Sequence, residues 1–258
     1  MRTMFYYLPL FLLAQACLTG EEYTPPPVAY QTCYLLKSTT SNSANNDMEE
    51  KTYVLNAEGK IVSVTTTQTG SSPASFTENY TYNGSNRLSK IEGPDYHSTY
   101  EYNTANQVSQ IKYYVDDVLT TQTDILYNSS GQLTKKTYFE NVSGKMTYTG
   151  YRNYAYADFS SRNTTKESYY DVSDVLHFTI DYQYDDQSLP AADIGVDLAL
   201  TQPPSVNNVA KSTYTQITGS PGTTVTTSTF TYNEASYPSK VVNQSSITNT
   251  IDYVYTCK

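Results

Sequence analysis

From about residue 30 onward the chain alternates large apolar and polar residues with a period of two, the pattern of antiparallel strands with one face covered and one face wet. Phe178, Ile180, Tyr182 and Tyr184 fall on one face of such a strand, and His177, Thr179, Asp181 and Gln183 on the other. Tyr96, Tyr100 and Tyr102 oppose His97, Thr99 and Glu101 in the same way. The covered face is largely tyrosine, whose ring is apolar while its hydroxyl needs a partner or water. A dry aliphatic core is therefore not expected.

A unit recurs along this pattern: tyrosine, any residue, a second tyrosine or other large apolar residue, Asn or Asp, a short polar turn, then an apolar residue opening the next strand. It reads Tyr53-Val54-Leu55-Asn56 before Ile61, Tyr80-Thr81-Tyr82-Asn83 before Leu88, Tyr100-Glu101-Tyr102-Asn103 before Val108, and Ile125-Leu126-Tyr127-Asn128 before Leu133. It returns loosely as Tyr154-Ala155-Tyr156-Ala157-Asp158, then as Tyr182-Gln183-Tyr184-Asp185 and Phe230-Thr231-Tyr232-Asn233. Asn56-Ala57-Glu58-Gly59 and Asn128-Ser129-Ser130-Gly131 suit short hairpin loops, because Asn bonds its own backbone and Gly takes a positive φ. Connectors of another kind, such as Gly70-Ser71-Ser72-Pro73 and Asn141-Val142-Ser143-Gly144, alternate with them. The pattern predicts an all-β, antiparallel up-and-down meander of about fifteen strands, rolled into a closed or nearly closed soluble barrel. Residues 186–208 interrupt it; Pro190 in a first-turn position and Ile194 with Leu198 predict a short helix in an insertion that covers an end or edge of the sheet.

The first residues carry an address. Arg2 precedes an apolar run from Met4 to Leu13 and then Ala14-Gln15-Ala16-Cys17, the order of a secretory signal over residues 1–16. Cys17 after two small residues resembles the lipobox of bacterial lipoproteins, which implies that Cys17 is acylated and becomes the new N-terminus. Residues 17–28, with Pro25-Pro26-Pro27, read as an extended tether ahead of one β-repeat domain over 29–258. Leu18 after the Cys resembles outer-membrane sorting, and Glu21-Glu22 resembles the acidic signals of surface-exposed lipoproteins.

With Cys17 lipidated, Cys33 and Cys257 remain, one in the first expected strand and one in the last. An oxidising compartment favours pairing them, and a disulfide needs Cα atoms within roughly 7 Å, which would make those strands neighbours. Two separate thiols are the alternative, since Cys33 lies on the less apolar parity of its strand.

The Tyr-x-Tyr-Asn units, with their turn and following Leu or Val, are similar to the YD-type repeats of RHS proteins. They are closer to repeat lipoproteins of Gram-negative gut bacteria that carry a domain of unknown function with a porin-like fold. The resemblance spans roughly residues 30 to 258 and implies that fold; it brings no catalytic residues. The regular Gly and Asp spacing of YD repeats is missing, so shell closure and toxin encapsulation do not carry over. A membrane porin would need a lipid-facing apolar band and usually a terminal aromatic residue, whereas this chain ends Tyr255-Thr256-Cys257-Lys258.

Composition narrows the function. A net charge of −9 with no basic cluster excludes a nucleic-acid partner. Two His among 258 residues leave little for a metal site or nucleophile, and nothing calls for a cofactor. His97 and His177 fall on polar faces, where they are expected to meet water. Glu49-Glu50, Asp116-Asp117 and Asp185-Asp186 offer carboxylates, but neighbours on one strand point to opposite faces. The expectation is a non-catalytic envelope lipoprotein, attached to the membrane by its lipid, that binds a glycan, a peptide or an envelope protein through tyrosine-lined surfaces or loops. A carrier of a lipidic ligand inside the barrel is the alternative, and a polysaccharide hydrolase a third.

Overall fold

The computed structural model describes residues 32–188, 200 and 203–257. The signal segment, Cys17, the tether and the expected helix around 190–198 lie outside the described residues. Sixteen strands follow one another: β1 (Cys33–Asn42), β2 (Met48–Leu55), β3 (Ile61–Thr69), β4 (Ala74–Tyr82), β5 (Leu88–Glu92), β6 (Tyr96–Tyr102), β7 (Val108–Val115), β8 (Val118–Tyr127), β9 (Leu133–Val142), β10 (Lys145–Tyr156), β11 (Thr164–Tyr170), β12 (Leu176–Ser188), β13 (Asn207–Gln216), β14 (Gly222–Tyr232), β15 (Pro238–Gln244) and β16 (Thr248–Cys257). Each pairs antiparallel with its sequence neighbours, and β1 pairs with β16, so the meander closes on itself. Cys33 and Cys257 face each other across this seam and are joined by a disulfide.

Two expectations are corrected. There are sixteen strands rather than about fifteen; the turns at 43–47, 171–175 and 245–247 contain neither Gly nor Pro, and the first two take positive φ at Asn46 and Asp174. The insertion is also shorter than 186–208, because β12 runs to Ser188 and β13 begins at Asn207, the two pairing there. Among the described residues there is no α-helix. Pro204 caps the start of β11 by accepting from the Thr164 amide and hydroxyl, while Asn163 Oδ1 accepts from the Val206 and Asn207 amides.

Closure gives the sheet a concave and a convex face, and burial separates them. Val64, Val108, Ile125, Leu133, Tyr154 and Val241 are buried and share one face with the Tyr-x-Tyr residues. Along β4, Phe76, Glu78, Tyr80 and Tyr82 are half-buried while Thr77, Asn79 and Thr81 are exposed. The shielded face is the interior. Sixteen strands enclose more space than side chains fill, and most of the inward tyrosines, Tyr154 and Tyr237 excepted, accordingly remain half-buried. The outer wall is threonine-rich and charged, with ion pairs Lys37–Glu50, Lys90–Glu92, Lys112–Glu101, Lys166–Asp181 and Lys240–Asp252.

The repeat builds one rim. In its five-residue turns the leading Asn side chain accepts from amides two and four residues on, as Asn128 does from Ser130 and Gln132 at 3.0 Å each. The fourth loop residue takes positive φ: Gly59, Asn86, Asn106, Gly131 and Ser236. Each turn is followed by a bulge; its extra residue is Val62 after the first turn, and elsewhere, the longer loop before β11 included, it is a Ser or Thr, at 89, 109, 134, 165 and 239. Its hydroxyl donates to the strand opposite, as Ser109 Oγ does to the Glu101 carbonyl at 3.3 Å. The second tyrosine of the unit, save Tyr232, which donates to Asp185, then ties its strand to the preceding one, where no turn joins them, and Tyr255 of β16 does the same. Tyr82, Tyr102, Tyr127, Tyr156, Tyr184 and Tyr255 donate to the carbonyls of Ile61, Leu88, Val108, Leu133, Thr164 and Pro238, each the first residue of that strand. Leu55 occupies this position in β2 and has no hydroxyl to offer.

Candidate functional site

Four consecutive strands, β9 to β12, bring charged groups into the aromatic interior. Cross-strand register sets Arg152 beside Lys136 and Tyr169, Glu167 beside Tyr154 and Ile180, and Tyr169 beside Phe178. Glu167 is fully buried, with 2% of its surface exposed. A carboxylate so placed requires partners, and it has two: Arg152 Nη1 donates to Oε2 at 3.1 Å and Tyr182 Oη to Oε1 at 2.9 Å. The guanidinium lies 6.0 Å from the Tyr138 ring and 5.5 Å from the Phe178 ring, while Lys136 Nζ stands 5.8 Å from the Tyr154 ring.

Burial opposes the Arg152 charge most strongly, but Tyr138 and Glu167 outweigh it and raise its pKa. Burial also lifts the phenols of Tyr138, Tyr154 and Tyr182, with Arg152 pulling each back in part. All three are neutral at physiological pH. Arg152 Nε is buried without a hydrogen-bond partner among the described residues, an omission that costs on the order of 1–3 kcal/mol.

Beside this network opens a cleft of about 350 Å³, lined by Thr123, Tyr138, Glu140, Arg152, Tyr169 and Phe178, among others. Its shape comes from a bulge in β10 between Tyr148 and Gly150. Gly150 takes φ +139 on the inward face opposite Tyr138, and a Cβ there would stand 2.4 Å from the Tyr170 carbonyl oxygen. The missing side chain lets β10 approach the β11 backbone closely at the bulge, whose extra residue Thr149 lines the cleft. Bulges next to sites re-aim neighbouring side chains. The arrangement joins a cationic donor, an exposed carboxylate acceptor in Glu140 and aromatic surface in one hollow.

The residues singled out from the sequence lie elsewhere. Cys33 and Cys257 seal the seam. Glu49 faces inward with Gln68 and Lys51, and Glu50 outward with Lys37, so the adjacent acids do part to opposite faces. Asp116 and Asp117 form a tight turn with positive φ. Asp185 accepts from the Tyr232 hydroxyl and from Asn208. The histidines do not simply meet water: His177 bonds Asp171 at 2.8 Å and Thr218 at 2.7 Å, and His97 stacks on Tyr114 at 4.5 Å. Arg152, Glu167 and Gly150 were missed; the one sequence signal was a lone Gly inside a strand pattern, which marks a bulge.

No protein-family model and no curated protein matches the chain. Among solved structures, a porin-like protein of Bacteroides uniformis aligns over 86% of this chain and 96% of its own at 14% identity, with a TM-score of 0.60. A porin-like protein of Bacteroides vulgatus aligns over 86% and 98% at 11% identity, with a TM-score of 0.57. The likeness to YD repeats finds no counterpart in these matches; what they show is the fold, and that fold is the porin-like barrel.

Proposed function

We propose that the protein is a non-catalytic lipoprotein of the Gram-negative outer membrane, held by lipid on Cys17, whose barrel stands in water and binds a ligand in its interior. The observation that carries this reading is the outer wall. Five Lys–carboxylate pairs sit on it, and each Lys on a lipid-facing wall would cost about 2–4 kcal/mol at the bilayer midplane. A barrel of this fold with a wet exterior needs a separate attachment, which the Ala14-Gln15-Ala16-Cys17 segment supplies. The seam disulfide agrees with export to an oxidising compartment.

The lipid-carrier alternative has less support, because Glu49, Lys51, Glu78, Lys136, Arg152 and Glu167 interrupt any apolar interior lining. The hydrolase reading has none from the adjacent acids: Glu49 and Glu50 part to opposite faces, Asp116 and Asp117 form a turn, and Asp185 is held by Tyr232 and Asn208.

Growth of producing cells with radiolabelled palmitate tests the anchor. The wild-type chain is expected to take up label and a Cys17→Ala variant to lose it; label on the variant, or none on the wild type, would remove the lipoprotein reading. Added protease on intact cells separates the two membrane faces: cleavage supports surface exposure, and protection places the barrel inside.

A further inference from the structure

The cleft beside Arg152 is specific enough to name a ligand class. We infer that it is a carbohydrate subsite taking one or two neutral pyranose rings, with Arg152 and Glu140 on the hydroxyls and Tyr138, Tyr169 and Phe178 against the ring carbons. The inference rests on the reading of the barrel as a binding protein and goes beyond it in chemistry.

Charge and surface argue against other occupants, and size is compatible with a short sugar unit. About 350 Å³ lies at the low end of small-ligand sites, which run from about 300 to 1,000 Å³, so the hollow holds one or two sugar rings. An anion is disfavoured because Glu140 shares the cleft and the Arg152 charge is already answered by Glu167 at 3.1 Å. A cation is disfavoured by the guanidinium itself. A wholly apolar ligand would cover donor and acceptor without satisfying either. A neutral polyol accepts from the guanidinium and donates to the carboxylate, while its C–H faces lie on aromatic rings. The hollow is also built: the bulged Thr149 lines it, and Tyr169 is held by its stack on Phe178, with ring centroids 5.1 Å apart.

The test is saturation-transfer NMR on the purified full-length lipoprotein in detergent, with maltose, cellobiose, lactose, methyl mannoside and glucuronate as probes. At least one neutral sugar is expected to receive transfer at its ring protons. Glu140→Gln is expected to weaken that binding about fivefold or more, and Thr123→Phe, which fills the cleft from the β8 side, to abolish it, both without a change in the far-UV spectrum. No transfer to any neutral sugar would overturn the inference. So would binding that both variants leave untouched, or a preference for glucuronate that salt removes. A palmitate-labelled protein that ignores every sugar would remove this inference alone and leave the lipoprotein reading standing.

Discussion

Single side chains do much of the ordering at the asparagine rim, and their contributions are separable. Each tyrosine hydroxyl tied to a strand-opening carbonyl contributes about 0.5–1.5 kcal/mol. Tyr102→Phe and Tyr127→Phe should each lower stability by about 1 kcal/mol in urea unfolding, and Tyr82→Phe with Tyr156→Phe should add nearly independently, being in different hairpins. A protein indifferent to all four would show that water replaces these bonds. The same phenols predict the response to alkali. Burial pushes Tyr100 and Tyr253 up to about 12 and moves Tyr80, Tyr182 and Tyr255 in the same direction. A raised folded-state value means that stability is intact below the unfolded tyrosine value near 10 and is lost as pH climbs through the folded values. Absorbance at 295 nm should show a late group of tyrosines, Tyr80, Tyr100, Tyr182, Tyr253 and Tyr255 among them, ionising only as the barrel unfolds; a single smooth titration centred near 10 would mean that the inner face is open to solvent. The turn chemistry of Asn128 and Gly131 was legible in the sequence. The acceptors of the hydroxyls were not, because they depend on register between strand ends that no turn connects.

Hairpins are the elements, and their errors and features follow from what marks a turn. The Tyr-x-Tyr-Asn units locate seven turns of the asparagine rim, and alternation identifies the inward face, down to Glu49 and Glu50 parting company. The opposite rim is harder to read where Asn46 or Asp174 replaces Gly in the positive-φ position. The bulge at Gly150 is the element-level device behind the cleft. Gly150→Ala combines φ +139 with a contact of 2.4 Å to the Tyr170 oxygen, so it should cost about 1–3 kcal/mol and disturb Tyr169. A melting temperature equal to wild type would show that the bulge relaxes freely. The cleft itself could not be read from the chain, since Tyr138, Arg152, Tyr169 and Phe178 come from four strands whose shared height is set by two bulges.

For the whole molecule, closure and wetting decide what the barrel is. The Cys33–Cys257 disulfide links residues 224 apart, and constraining so long a loop is worth about 2–5 kcal/mol in the unfolded chain. Cys257→Ser with Cys33→Ser should lower the urea midpoint accordingly while the β1–β16 ladder persists. Closure was legible from the placement of the two cysteines at the chain ends, whereas the polar outer wall became clear only once the faces were assigned. That wall carries the central claim, that the porin-like barrel stands in water and reaches the membrane only through its lipid. The most direct measurement replaces residues 1–17 with an ordinary cleavable export signal, so that the barrel is secreted without a lipid, and follows it by fractionation without detergent. The account predicts a folded, soluble protein in the periplasmic fraction with the β-sheet spectrum intact. Recovery of the unlipidated barrel in the outer-membrane pellet, released only by detergent, would contradict it and return the protein to the class of membrane-spanning pores.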